Sequence, residues 1–205
     1  MVTTIEHTAK KFSTLFNILV LVLATCCIFG FIYFSIQNKL EATADKRDEY
    51  VEIIDNLYRN KKYKFRIKFS EGWQIEKGNG PNVLVKASSG NGSSINLVVK
   101  DLGAQLGSIE DIATLDEWAE FVYEKFPTTK IIEKKETHID NRKAFYVKYE
   151  VEYDALDMKT KMTMFSVAII RNNFLYVITA SADYDSFDKN ESILSKSVRT
   201  FVVED

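Results

Sequence analysis

The sequence predicts an antiparallel α+β sandwich, a sheet covered by helices, preceded by a single transmembrane helix. Three observations predict it. Leu15 to Ile36 runs for 22 residues without a Lys, Arg, Asp or Glu. Seven later segments alternate apolar and polar residues at a period of two, separated by short turn signals. Two more segments repeat at helical spacing, and the local hairpins favour an antiparallel sheet over a doubly wound one. The chain divides accordingly into a tail (1–14), a transmembrane helix (15–36), a helical stalk (37–60) and an α+β domain (61–205).

As a helix the uncharged run would be about 33 Å long, matching a bilayer's hydrocarbon thickness. Hydrocarbon offers no hydrogen-bond partner, so a lone spanning segment must close its own backbone bonds. A cleaved signal peptide has a shorter apolar core, and here Ile28, Phe29, Phe31, Ile32 and Phe34 continue past the small residues. Leu23-Ala24-Thr25-Cys26 loosely resembles a lipobox, but Thr before Cys fits poorly and apolar residues follow. An uncleaved helix is favoured over both. Lys10 and Lys11 precede the span while Lys39, Lys46 and Arg47 follow it, so the positive-inside count does not orient it. The short N-terminal tail favours a signal-anchor with the large domain outside the cytoplasm.

Both cysteines, Cys26 and Cys27, lie in this run, so the domain has neither a disulfide framework nor a thiolate metal site. With 27 basic against 29 acidic residues there is no global field to attract nucleic acid. Two prolines, eight glycines and 13% aromatics describe a chain that builds a core.

The stalk is rich in charge and free of Gly and Pro, which predicts that the helix continues to Asn60. Leu40, Ala44, Arg47, Val51, Ile54 and Tyr58 recur at spacings of four and three. Arg47 in a core slot makes one stripe packed on its own domain a better reading than a dimer stalk.

From Tyr63 the period changes. Phe65, Ile67 and Phe69 oppose Lys64, Arg66 and Lys68, as in a half-buried strand. Val83 with Val85 make a second strand, and Ile95, Leu97 and Val99 a third after the Ser89-Gly90-Asn91-Gly92 turn. Ser108 with Asp111, and Thr114 with Glu117, both have capping-box spacing, and either starts the next helix. Its expected apolar stripe is Leu115, Trp118, Phe121, Val122 and Phe126, ended by Pro127. Lys130 to His138 is a strand leading to the turn Asp140-Asn141. Phe145, Val147, Tyr149, Val151 and Tyr153 then give the clearest alternation in the chain. Thr160 to Ile170 and Phe174 to Ser181 form a hairpin across Arg171-Asn172-Asn173. Phe187 to Ser197 reads as a helix with Ile193, Leu194 and Val198 inward, before the tail Phe201 to Val203.

Phe65 to Trp73 (FRIKFSEGW) resembles the opening strand and Gly-Trp turn of the PsbP/Mog1-like superfamily. Thr114 to Trp118 resembles its first helix, Ile139 to Phe145 its central hairpin, and Ile193 to Phe201 its closing helix. Ser70 departs from the family's usual proline. The resemblance spans Tyr63 to Val203. It implies an α-β-α sandwich used for binding and assembly, as in photosystem accessory subunits and a Ran-GTPase binder, with no catalytic residue to carry over. It also implies a bacterial membrane-tethered type.

Little in the sequence is equipped for catalysis. His7 lies in the tail, and His138, at a strand end, has no Gly-x-Ser-x-Gly elbow to support it. Glu110, Asp111, Asp116, Glu117 and Glu120 read as a solvated helix face rather than a cation site, with no EF-hand loop present. Gly78-Asn79-Gly80 and Gly90-Asn91-Gly92 are too short to cradle phosphate. The basic run Arg59, Lys61, Lys62, Lys64, Arg66 and Lys68 is a candidate membrane-surface contact, although a solvated strand face that discourages edge pairing outweighs it. Trp73, Trp118 and Tyr146 are candidates for a partner surface, set against core packing as the commoner fate. The expectation is a membrane-anchored, non-enzymatic binding or assembly module facing outside the cytoplasm. It would contact lipid through residues 15–36 and bind a protein partner, without cofactor, metal or nucleic acid. A carrier or sensor of a small apolar ligand, held between sheet and helix, is the alternative, and a hydrolase ranks third.

Overall fold

Period-two alternation becomes two antiparallel sheets because every strand here is joined by a hairpin or lies beside one. The computed structural model describes residues 50–78, 82–104, 106–125, 128–155 and 158–204. Val51–Asp205 forms one unit, and the predicted transmembrane helix (15–36) and the tail before it lie outside the described residues. Among the described residues no helix is long and apolar enough to cross a membrane.

Four strands make the smaller sheet: β1 (Val51–Ile54), β2 (Leu57–Asn60), β3 (Phe65–Lys68) and β11 (Val202–Val203), in the order β1-β2-β3-β11. The larger sheet has seven: β4 (Gln74–Lys77), β5 (Val83–Ser88), β6 (Ser94–Asp101), β7 (Lys130–Ile139), β8 (Arg142–Ala155), β9 (Met158–Arg171) and β10 (Phe174–Asp183). Their order is β4-β5-β6-β10-β9-β8-β7. Helix α1 (Leu115–Lys125) packs on β7 and β8, and α2 (Phe187–Arg199) packs on β10 and β3.

Both faces of the large sheet are buried at its centre. One face, carrying Phe165, Val167 and Ile169 of β9 and Tyr176 and Ile178 of β10, meets Phe65 and Ile67 of the small sheet and Phe187, Leu194 and Val198 of α2. The other, carrying Phe145, Val147 and Tyr149 of β8, meets Trp118, Ala119 and Val122 of α1. The interior strand β9, next to the central β10, is therefore buried at every position from Phe165 to Ile170.

The seven alternating segments of the sequence are strands β3 and β5 to β10. The predicted helical stalk is corrected at its C-terminal end: residues 51–60 are a β-hairpin. Its turn is Asp55-Asn56, with Asp55 at φ 54°. Asp and Asn tolerate the left-handed conformation through their short polar side chains, so no Gly was needed to break a helix. Asn56 locks the turn to β3, its Nδ2 donating to the Phe69 carbonyl at 2.6 Å and its own carbonyl accepting from Phe69 N–H at 2.8 Å. Three of the six heptad positions, Val51, Ile54 and Tyr58, thus belong to strands, and the domain starts at Val51 rather than residue 61. The rest of the stalk, 37–49, lies outside the described residues. Strands β4 and β11 were also unexpected.

Both capping boxes form. Ser108 and Asp111 close a single 3-10 turn over Ile109–Asp111. Thr114 and Glu117 open α1, with Glu117 Oε2 accepting from Thr114 N–H at 2.7 Å and Thr114 Oγ1 accepting from Glu117 N–H at 3.3 Å. Two stripe residues expected inside are outside: Phe121 on α1 and Ile193 on α2 are 45% and 43% exposed. The Gly-Trp turn closes without the proline, Trp73 N–H donating to the Ser70 carbonyl at 3.3 Å with Gly72 at φ 77°.

Candidate functional site

Helix α2 is seated by Phe187, Leu194 and Val198, at spacings of seven and four that fall on one face. A cleft lies on each side of it. Toward β7, β8 and β9 a cleft of 610 Å³ has Tyr146 and Phe165 on its floor and Glu133, Lys135, Glu191, Lys196 and Arg199 around it. Toward the Gly-Trp turn a cleft of 810 Å³ is lined by Trp73, Phe69, Lys68, Glu71 and Thr200, and again by Lys196.

Tyr146 is half-buried and stacked on Phe165, ring centroids 5.4 Å apart and planes 26° from parallel. Lys135 Nζ sits 4.7 Å from its ring centre. Burial raises the Tyr146 phenol above the ordinary tyrosine range, and the carboxylates of Glu191 and Glu133 add to it. Its hydroxyl therefore stays protonated at neutral pH and able to donate. Lys148 pairs with Glu191 at 3.0 Å and lies over the Phe187 ring. The second cleft is pinned by Thr200, whose Oγ1 accepts from Lys68 N–H at 2.8 Å and donates to the Lys68 carbonyl at 3.0 Å.

The three candidate aromatics do not converge. Trp73 and Tyr146 flank α2, both half-buried. Trp118 lies on the opposite face of the large sheet and is only 7% exposed, so its place on a partner surface is corrected. A helix position followed by Phe121 and Val122 turns its larger ring inward when a sheet covers that side. Its ring stacks on Phe121 at 5.5 Å. Beside it an apolar groove of 560 Å³ opens between α1 and the sheet, lined by Val98, Phe121, Ser166, Leu175, Val177 and Thr179 among others.

The basic run is partly neutralised. Arg59 and Arg66 are register partners on β2 and β3, and Glu204 approaches both, at 2.7 Å and 3.8 Å. Glu52 pairs with Lys61 and, at 3.7 Å, with Arg59. The hydrogen bond from Lys61 holds the Glu52 carboxyl below its ordinary range. Among the described residues Lys62, Lys64 and Lys68 make no ion pair, and all three are exposed. His138 is exposed on the edge strand β7, opposite Lys143. No group of three or more His, Cys, Asp or Glu among the described residues is arranged to hold a metal ion.

The PsbP family profile matches residues 56–203. The chain belongs to the PsbP family. Among solved structures, the PsbP domain is similar to cyanobacterial PsbP (CyanoP) from Synechocystis, with 16% identity and a TM-score of 0.56 over 74% of this chain and 94% of that one. It is more loosely similar to the Saccharomyces cerevisiae Ran-binding protein Mog1p, with 10% identity and a TM-score of 0.49 over 75% and 97% of the two chains. No curated protein matches.

Sequence reasoning missed two features of this PsbP domain. The clefts beside α2 depend on which strands α2 crosses, and their shared residue Lys196 looks like any surface lysine in the sequence. The groove beside Trp118 was legible only as a helix whose apolar stripe is wider than the surface it covers.

Proposed function

We propose that this PsbP-family chain is a membrane-tethered, non-catalytic binding module that meets a protein partner across the face carrying α2. The observation that supports it is the pair of clefts flanking that helix, which share Lys196 and each expose the edge of a half-buried aromatic, Tyr146 on one side and Trp73 on the other. Aromatic anchors within a charged, solvated rim are the composition that distinguishes protein interfaces from ordinary surface. The 22-residue uncharged run is the proposed tether, with the domain proposed to face outside the cytoplasm.

The test is affinity purification of the tagged full-length chain from solubilised membranes, run beside Lys196→Glu and Tyr146→Ala. A stoichiometric partner that is retained by the wild type and lost from both variants is the expected result. A partner held equally by all three chains, or none at all, refutes the assignment of this face. Protease added to intact cells is expected to digest the domain, and a protected domain would refute its orientation.

A further inference from the structure

On the face opposite α2 the sheet is only half covered. Leu175, Val177 and Thr179 follow one another along β10 on this side, and Val98 and Ser166 are the cross-strand neighbours of Val177 and Thr179. At roughly 3.3 Å per residue these β10 positions span about 13 Å. Phe121 and Ile112 of the groove wall are 45% and 39% exposed. A mostly apolar cleft of 560 Å³ falls within the range of small-molecule sites, about 300–1,000 Å³.

Two residues of this lining carry a buried polar atom with no protein partner among the described residues: Trp118 Nε1 and Ser166 Oγ. Their residues are 7% and 3% exposed. A buried polar group without a hydrogen bond is costly, and two belong to residues that line one groove. The indole N–H can only donate, so what it lacks is an acceptor; the serine hydroxyl can donate as well. Glu117, the carboxylate in the lining, is already engaged by the N–H and hydroxyl of Thr114. Lys100, exposed in the same lining, makes no ion pair among the described residues.

We propose that the groove between α1 and the sheet binds an acyl chain, its hydrocarbon on Val98, Val177 and Phe121 and its carbonyl or carboxylate oxygen accepting from Trp118 Nε1–H and Ser166 Oγ–H. An apolar groove selects a hydrocarbon body, and two donors without acceptors select an oxygen on it. Lys100 adds a preference for a free carboxylate over an ester. The site is separate from the α2 face, so partner capture and acyl binding succeed or fail independently.

The chain has two tryptophans, so Trp73→Phe leaves Trp118 as the sole indole emitter. The full-length Trp73→Phe chain in phosphatidylcholine nanodiscs is titrated with cis-parinaric acid, which accepts excitation energy from tryptophan. A parallel sample carries parinaroyl-phosphatidylcholine in the disc instead. Saturable transfer at one site per chain is expected, weakened about tenfold by Ser166→Ala or Val177→Asp. Saturation by the free acid alone identifies a fatty acid, and transfer from the disc lipid identifies a membrane acyl chain; both support the proposal. Lys100→Ala and Phe121→Ala act at exposed positions and keep the test independent of folding. The first is expected to abolish the preference for the acid over its methyl ester, and the second to weaken both. Transfer that never saturates, or that is unchanged in all four variants, overturns the proposal and leaves the two donors to water.

Discussion

Asp140 is where a local turn and a distant strand are joined, and replacing it separates their contributions. The Asp140-Asn141 loop between β7 and β8 has both residues at positive φ, 51° and 58°, as a two-residue hairpin with the twist of its strands requires. Asp140 Oδ2 also accepts from Val203 N–H at 3.1 Å and from Arg171 Nη1 at 3.3 Å, while Arg171 Nη1 donates to the Val203 carbonyl at 2.8 Å. The carboxylate thus ties a turn to β11, a strand only two residues long. Asp140→Ala removes a charge-assisted bond in a site where both side chains are largely covered, costing about 1.5–3 kcal/mol. Ala also lacks the short polar side chain that helps Asp tolerate a φ of 51°, a further cost smaller than the roughly 1–2 kcal/mol that any Cβ meets in the left-handed region. Asp140→Asn keeps the conformation and an acceptor, losing only the charge, and is expected to cost about 1 kcal/mol. Urea unfolding of the Val51–Asp205 unit measures the totals, and hydrogen exchange at the Val203 amide reports the tether directly. Equal midpoints for the Ala and Asn variants, or unchanged Val203 protection in Asp140→Ala, would refute the reasoning.

Alkali should destabilise the domain before its lysines titrate fully. Burial pushes the phenols of Tyr149 and Tyr176 up to about 12, the Arg171 charge opposing the shift at Tyr176. Unfolded tyrosine titrates near 10, so above that pH the unfolded chain binds fewer protons and stability falls as pH rises, by about 1.4 kcal/mol per unit per group. The pair should lose about 5 kcal/mol by pH ~12; a urea midpoint that does not fall as pH rises from ~10 to ~12 would contradict this. At the start of α1, Thr114→Ala is expected to lower stability by about 0.5–2 kcal/mol, read as a reduced urea midpoint with an unchanged slope. The same change should leave the preceding turn's amides protected, because Ser108 and Asp111 close it separately.

The sequence by itself determined what depends on near neighbours. Alternation located β3 and β5 to β10, helical spacing located α1 and α2 with a capping box at the start of α1, and paired turn residues such as Asp140-Asn141 located the hairpins. Those signals arise from backbone period and turn stereochemistry, which act over a few residues. The tertiary structure decided what depends on distant ones. Val202-Val203 is too short to show a period and is a strand because β3 offers an edge. Arg59 and Glu204 meet across 145 positions of sequence, which neutralises part of an apparently free basic run. Phe121 and Trp118 belong to one apolar stripe, yet the sheet beneath α1 covers one and leaves the other at the rim of a groove. Burial is a property of what stands opposite a side chain, and no local pattern encodes the opposite wall.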